Sequence, residues 1–452
     1  MRALVYHCVN PPGENSLLSA VRCRFRKVPV VLWMVLIAFA IRLAVIPFVY
    51  DEWMEPTRVT HWEQGNIARA LVAGQGFGSP LPSIQPSAMM TPVFPMVVAV
   101  FFRIFGVHTL ASILAILSFN SLLSSLACIP VLLMARRSFG PRVALWAGWG
   151  WAFSPYGIYF SAEWAWSTHL LLLCLCWLLY LAQDLERSPK LALWAAFGLL
   201  AGFAGLTEPA ILSIIPFLLV LAAWRLAHAG KRWFLPGVVA SLSLAAALSP
   251  WIIRNAVVFH RFIPMRDSMG MELLIGNNGY SQHWVNCEYC PMHNARELAE
   301  YNSVGELAYM SHKSRQAKTF IRDNPRWFVW MCGRRALYLW TGYWSFDHDY
   351  LLGEPLDPFN IPVATSLSLL AFLGVFFAWR RNPHEAMRYG VVLLIYPLMY
   401  YFVNPGAYRL RPIDPVIVIL GSYAILRLFK RVGEDALPGT IPSEEIVVPS
   451  AG

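Results

Sequence analysis

Long apolar runs, separated by short polar breaks, occupy most of this chain. The runs fall at about 29–49, 109–134, 142–161, 165–183, 191–207, 209–227, 233–253, 361–379, 387–403 and 413–429. Each is near the roughly 20 residues that a helix needs to cross a hydrocarbon core. Two polar-rich stretches interrupt the pattern, at 50–108 and 254–360. The shorter run VFPMVVAVFFRIF at 93–105 falls below spanning length and reads as an interfacial helix, opened by Thr91 as cap and Pro92 in the first turn. The expected fold is an all-α polytopic membrane protein, a bundle of about 10–12 transmembrane helices. Amphipathic helices belong in its first outer loop, and its second outer loop is large.

Composition agrees. The chain has 452 residues, 57% of them apolar and only 14% charged, against about 45–50% and about 25% in soluble domains. A water-soluble globule, a disordered chain and a disulfide-stapled mini-domain are excluded. The first run is too long for the apolar core of a cleaved signal peptide. Arg42 lies inside it. A central arginine costs roughly 2.5–3.5 kcal/mol, which a dozen Val, Leu, Ile and Phe outweigh at roughly 0.3–0.6 kcal/mol each. The run is expected to insert, with Arg42 facing protein or near the outer interface.

The net charge of +10 does not point to nucleic acid, because the cations sit in short clusters beside apolar runs. They are Arg22, Arg24, Arg26 and Lys27; Arg136, Arg137 and Arg142; Arg225, Lys231 and Arg232; Arg380, Arg381 and Arg388; and Arg427, Lys430 and Arg431. With ten spans and both termini cytoplasmic, all five clusters fall on the inner side. The organisation follows: a cytoplasmic segment 1–28, a bundle 29–253 that includes outer loop 50–108, a large outer loop 254–360, C-terminal spans 361–432 and a disordered cytoplasmic tail 433–452. The polar residues are concentrated in the two outer loops.

Of eight cysteines, Cys128, Cys174 and Cys176 lie in spans and read as small buried apolar residues. Cys287 and Cys290 form a CEYC pair. A disulfide, free thiols and a metal site with His283 or His293 all remain open for it. Asp347 and Asp349, flanking His348, are a candidate divalent-ion pair.

The first outer loop holds a punctuated helix at 60–74. Thr60 is the expected N-cap, Glu63 would complete a capping box, and Gly74 supplies the stop. Ile67, Ala68, Leu71 and Val72 make an apolar face, with Glu63, Asn66 and Ala70 on a more polar one. Glu63 therefore has two readings: a capping glutamate, or a general base at membrane level. Asp51 and Glu52, just after the first span, are rim carboxylates or rival bases. Glu163 and Glu208 stand at outer span ends and are candidates to line the same cavity, although Glu208 also suits a cap before Pro209.

The stretch E-Q-G-N-I-A-R-A-L-V-A-G-Q-G-F (63–77) resembles a pattern of GT-C class glycosyltransferases that use polyprenyl-phosphate sugars. The similarity is to the family 39-like group, which includes aminoarabinose transferases of lipid A and relatives of protein O-mannosyltransferases. PSAMMTPVFPMVVAVFFRIFG (86–106), SPWIIRNAVVFHRFIPMRDSMGMELLIGNNG (249–279) and YRLRPIDP (408–415) resemble further segments of that class, in the same order. The resemblance spans about 29–430.

It implies sugar transfer at the outer face of a bacterial inner membrane, from a polyprenyl-phosphate-sugar donor to a lipid, glycan or protein acceptor, usually with inversion and without a cofactor. A first-loop acid would deprotonate the acceptor, and Glu63 matches that place best. Relatives often carry their acid several residues earlier, near Thr60, where this chain offers only Asp51, Glu52 and Glu55. The leaving phosphate needs cations, and the candidates are Arg254, Arg334, Arg335, Arg409 and Arg411. A secondary transporter or lipid flippase is the alternative, and a membrane scaffold the third reading. Acids concentrated on one face fit an enzyme better than midplane ion coupling.

Overall fold

The computed structural model describes residues 29–49, 62–81, 83, 85–280, 287–346, 348, 351, 357–403 and 409–429. Among them the chain is helical, and its sole β feature is an isolated bridge between Gly78 and Pro86. Every predicted apolar run is a helix or a broken pair of helices. In chain order these are α1 (Val30–Val49), α2 (Glu63–Val72), α3 (Val93–Phe105), α4 (Leu110–Leu126), α5 (Cys128–Phe139), α6 (Pro141–Ala152), α7 (Pro155–Glu163), α8 (Thr168–Leu185) and α9 (Leu191–Thr207). A 3-10 turn (Pro209–Ser213) leads into α10 (Ile215–His228), followed by α11 (Phe234–Phe259), α12 (Met269–Gly276), α13 (Ala295–Val304), α14 (Glu306–Asp323) and α15 (Pro325–Thr341). The C-terminal part is α16 (Asp357–Arg381), α17 (Pro383–Ile395), α18 (Leu398–Phe402) and α19 (Asp414–Leu428). Six helical stretches among the described residues are long and apolar enough to cross a membrane. The protein is a multi-pass membrane protein.

Without a hydrophobic drive between helices in lipid, close backbone approach and polar satisfaction hold such a bundle together. The α9–α11 contact shows the first. A Cβ on Gly198 would stand 2.2 Å from the Ala240 carbonyl oxygen, so only glycine lets the two backbones meet there. Arg42 shows the second. It is fully buried, and its guanidinium donates to the carbonyls of Ala38 (3.1 Å), Trp151 (3.1 Å), Ala152 (2.9 Å) and Gly157 (3.1 Å), and to Ser124 Oγ (3.0 Å). Three of those carbonyls flank the break between α6 and α7, where Pro155 starts a new helix and interrupts the helical ladder. The arginine supplies the donors that the interrupted ladder lacks, which is how irregular backbone persists at membrane depth. Arg42 therefore faces protein, the first of its two expected places. Cys128, Cys174 and Cys176 are buried free thiols, as expected.

The short connections meet at one end of the bundle. There Arg388 of α17 pairs with Glu186 (2.7 Å) and Glu385. Ser138 donates to Glu385 (2.6 Å), Arg225 pairs with Glu186 (3.5 Å) and Lys231 donates to the Arg187 carbonyl (2.8 Å). Three of the basic clusters thus share an end. The two long connections assemble at the other. Ile67, Phe77, Met90 and Trp251 form one small apolar cluster there, and Leu81, Met89, Met271, Ile275, Tyr301, Tyr309 and Met310 form a second. Lys313, almost fully buried, ties α13 to α14 through Glu297 (2.6 Å) and Glu300 (2.9 Å). Helix α3 forms over Val93–Phe105 as the sequence predicts. Its opening differs: Pro92 is the N-cap, and Thr91 instead donates to the Thr207 carbonyl (2.9 Å).

Candidate functional site

Helix α2 begins at Glu63 itself, with Trp62 as N-cap and no side-chain cap. Glu63 is therefore the first residue of the helix, not the third, and cannot close a capping box. Thr60, its expected partner, lies outside the described residues, as do Asp51 and Glu52. The helix start is fixed by Trp62, buried against Phe102 (5.7 Å between ring centroids) and His108 (6.2 Å). Gly65 admits that indole: a Cβ there would lie 2.3 Å from Trp62 Cε3. One turn on, Ile67 is fully buried, and Asn66 donates to the Pro80 carbonyl (2.8 Å). Asn66 thus shapes the loop after α2.

So anchored, Glu63 is half-buried and makes no ion pair with another described residue. Its field comes from Glu272 of α12, Arg266 just before α12, and Arg409. Burial, with the like charge of Glu272, pushes its carboxyl up to about 7, and the two arginines pull the other way more weakly. Around it, Arg409 pairs with Glu272 (3.0 Å), and Arg266 reaches Glu208 (3.3 Å) and Glu272 (3.9 Å). Arg266 also donates through Nε to the Met89 carbonyl (2.8 Å). The Arg409 guanidinium lies 5.6 Å from the Tyr400 ring centre. Glu208 is the N-cap of the 3-10 turn, but its carboxylate caps no N–H and faces Arg266. A carboxyl poised near neutrality beside two cations can accept a proton while those cations hold an anion.

The other candidates are placed elsewhere. Arg254 donates to the carbonyls of Ser87 (2.8 Å) and Phe77 (3.0 Å) and to Asn255 Oδ1 (2.9 Å), and so braces the loop between α2 and α3. Arg335 is buried and ties α12 to α18, donating to Asn277 Oδ1 (3.1 Å) and to the Gly276 carbonyl. Arg334 stacks on Trp330 (4.5 Å) and donates to Tyr338 Oη (3.1 Å). Arg411 lies over the Tyr156 ring (4.0 Å) and pairs with Asp414 (3.5 Å). Glu163 accepts from Tyr159 (2.8 Å) at the end of α7. The Cys287 side chain, His283, Asp347 and Asp349 lie outside the described structure. The sequence reading missed Arg266 and Glu272. Both sit in the quoted 249–279 segment, whose resemblance to the family was the one signal available for them.

The helical bundle has the fold of the GT-C membrane glycosyltransferases, as the sequence resemblance implied. Residues 87–253 match the family model described as dolichyl-phosphate-mannose-protein mannosyltransferase. The structure is similar to ArnT from Cupriavidus metallidurans bound to undecaprenyl phosphate, at TM-score 0.52 and 15% identity, over 89% of this chain and 61% of that one. It is also similar to the archaeal oligosaccharyltransferase AglB from Archaeoglobus fulgidus in complex with an inhibitory peptide and a dolichol-phosphate, at TM-score 0.51 and 14% identity, over 90% and 51%. The chain thus spans about half to three-fifths of the length of these two proteins. No curated protein matches it in sequence.

Proposed function

We propose that this protein is an integral-membrane glycosyltransferase. In this reading it takes a sugar from a polyprenyl-phosphate donor at the outer face of a bacterial inner membrane and passes it to a lipid, glycan or protein hydroxyl. The observation that carries the reading is the uncapped Glu63, raised to about 7 beside Arg266 and Arg409. The prenyl phosphates held by the two similar proteins support a lipid-linked donor.

The prenyl tail stays in lipid while the phosphate rests at headgroup depth, so chemistry has to occur at the bundle's end. Glu63 takes the proton of the acceptor hydroxyl. The hydroxyl oxygen attacks the anomeric carbon, the bond from that carbon to the phosphate oxygen breaks, and the prenyl phosphate leaves with the electron pair. Attack opposite the leaving group inverts the anomeric centre. Arg409 and Arg266 exchange their carboxylate partners for the phosphate, and their field counts for more as its charge grows. Before transfer, the donor phosphate also opposes ionisation of Glu63, which makes that carboxylate a stronger base.

The test uses the purified full chain in nanodiscs and in sealed vesicles, each with radiolabelled undecaprenyl-phosphate sugars. Release of undecaprenyl phosphate with label moved to acceptor, lost in Glu63→Gln, supports the reading. Passage of intact donor across a sealed bilayer with no product would replace it with a flippase.

A further inference from the structure

Three consecutive carbonyls of the loop before α3 are gripped by the end of α11 and the stretch that leaves it. Ser87 O accepts from Arg254 (2.8 Å), Ala88 O from the Asp267 N–H (3.1 Å) and Met89 O from Arg266 (2.8 Å). The N–H of Ala88 is held from the other side, donating to Glu306 Oε1 at 2.6 Å. Glu306 Oε2 accepts from Tyr301 (2.8 Å), whose Oη lies 3.0 Å from Ser79 Oγ in the same loop. The Asp267 carboxyl is buried at this junction. Neither of its oxygens has a conventional donor among the described residues, and what it faces is the carboxyl of Glu306.

Two buried carboxyls in contact cannot both ionise, and one shared proton turns their repulsion into an O–H···O bond. The charged and titratable groups around them are Arg266 on the same segment as Asp267, Tyr301 of α13 and Arg254 of α11. We propose that Asp267 and Glu306, both in the second long connection, share one proton, and that this latch clamps Ala88 of the first connection from both sides and thereby sets Arg266 beside Glu63. Asp267 touches no reactant in this arrangement; it is a positioning residue acting through Arg266. Its catalytic meaning rests on the glycosyltransferase reading, while the latch itself does not.

Burial and Glu306 push Asp267 up to about 8, whereas a free aspartate titrates near about 4. A raised acid makes the latch complete below the free value, weaker as pH rises and lost through the raised one. Between about pH 5 and 8 the closed latch holds one proton more than the open one, so opening grows about tenfold per pH unit. Glu306 lines a cavity of about 600 Å³ with Arg261 and Arg315, which gives water a route to that proton.

Hydrogen exchange on the full chain in nanodiscs, corrected for intrinsic rates, reads opening directly in peptides covering 77–91. The wild type should lose about tenfold protection per pH unit over that window. Asp267→Asn, whose amide donates to Glu306 at any pH, should stay protected and flat. Asp267→Leu should be unprotected throughout, a loss the asparagine rescues. A flat wild-type profile, or an unchanged slope in Asp267→Asn, overturns the latch. The expected slope in a preparation that transfers no sugar supports the latch and sinks the function proposed above.

Discussion

Replacing Glu63 with glutamine keeps the side chain's shape and removes its charge, and the account requires two opposite consequences. In the wild type the folded protein holds this carboxyl at about 7 instead of 4.5. At about 1.4 kcal/mol per pH unit, a rise of that size corresponds to about 3 kcal/mol, and partial exposure of the group reduces it to about 2 kcal/mol. Because the folded-state value is raised, folding is unpenalised below 4.5, the penalty builds as pH climbs towards 7, and above 7 it is constant. Glu63→Gln should therefore unfold later than the wild type in denaturant titrations at pH 8, by about 2 kcal/mol, and show little difference near pH 4.5. The same variant should lose about 10²–10⁴-fold in transfer rate. Wild-type kcat/KM, which reports the free enzyme, should rise with pH up to about 7 and level off above it, because only the ionised carboxylate accepts a proton. The reasoning fails if the glutamine variant is no more stable than wild type at pH 8, or if its stability gain does not shrink as pH falls.

Three further outcomes follow from the geometry. Arg409→Gln should reduce kcat/KM about 10²–10³-fold through lost stabilisation of the leaving phosphate and move the acid limb of the pH profile upward, since a cation that holds Glu63 down is gone. The same change at Arg411, which faces Tyr156 and Asp414, should leave that limb in place. Gly65→Ala should drive Cβ into the Trp62 ring, costing about 1–3 kcal/mol of stability and lowering transfer by tilting the start of α2. Arg42→Met should leave the carbonyls around the α6–α7 break without donors at about 1–3 kcal/mol for each group left unsatisfied, read as a lower midpoint in detergent unfolding.

Apolar runs made the bundle legible, because lipid demands a nearly uninterrupted helix at each crossing, and that constraint acts on local sequence. Glu208 and Arg409 could be picked out as candidates for a related reason, since they stand beside those runs, whereas Glu63 stood out by the punctuated helix at 60–74 and the resemblance of 63–77. Arg266 and Glu272 were not, since nothing local distinguishes them from ordinary loop polars until α11 and α12 bring them under α2. Arg254 and Arg335 show the converse. Their position and charge are right for a phosphate, yet their donors go to the carbonyls of Phe77, Ser87 and Gly276. An arginine satisfied by backbone cannot be told from an available one until the backbone is placed. The capping box failed at a boundary: Thr60 and Glu63 have the right spacing, but Trp62 packing starts the helix at Glu63.

The most direct test is a cryo-EM map of the protein in nanodiscs with undecaprenyl phosphate added. The account predicts phosphate density between Arg409 and Arg266, within reach of the Glu63 carboxylate, with the prenyl tail running into lipid. Density seated instead at Arg411 or Arg334, with the Arg409–Glu272 and Arg266–Glu208 pairs undisturbed, would contradict it.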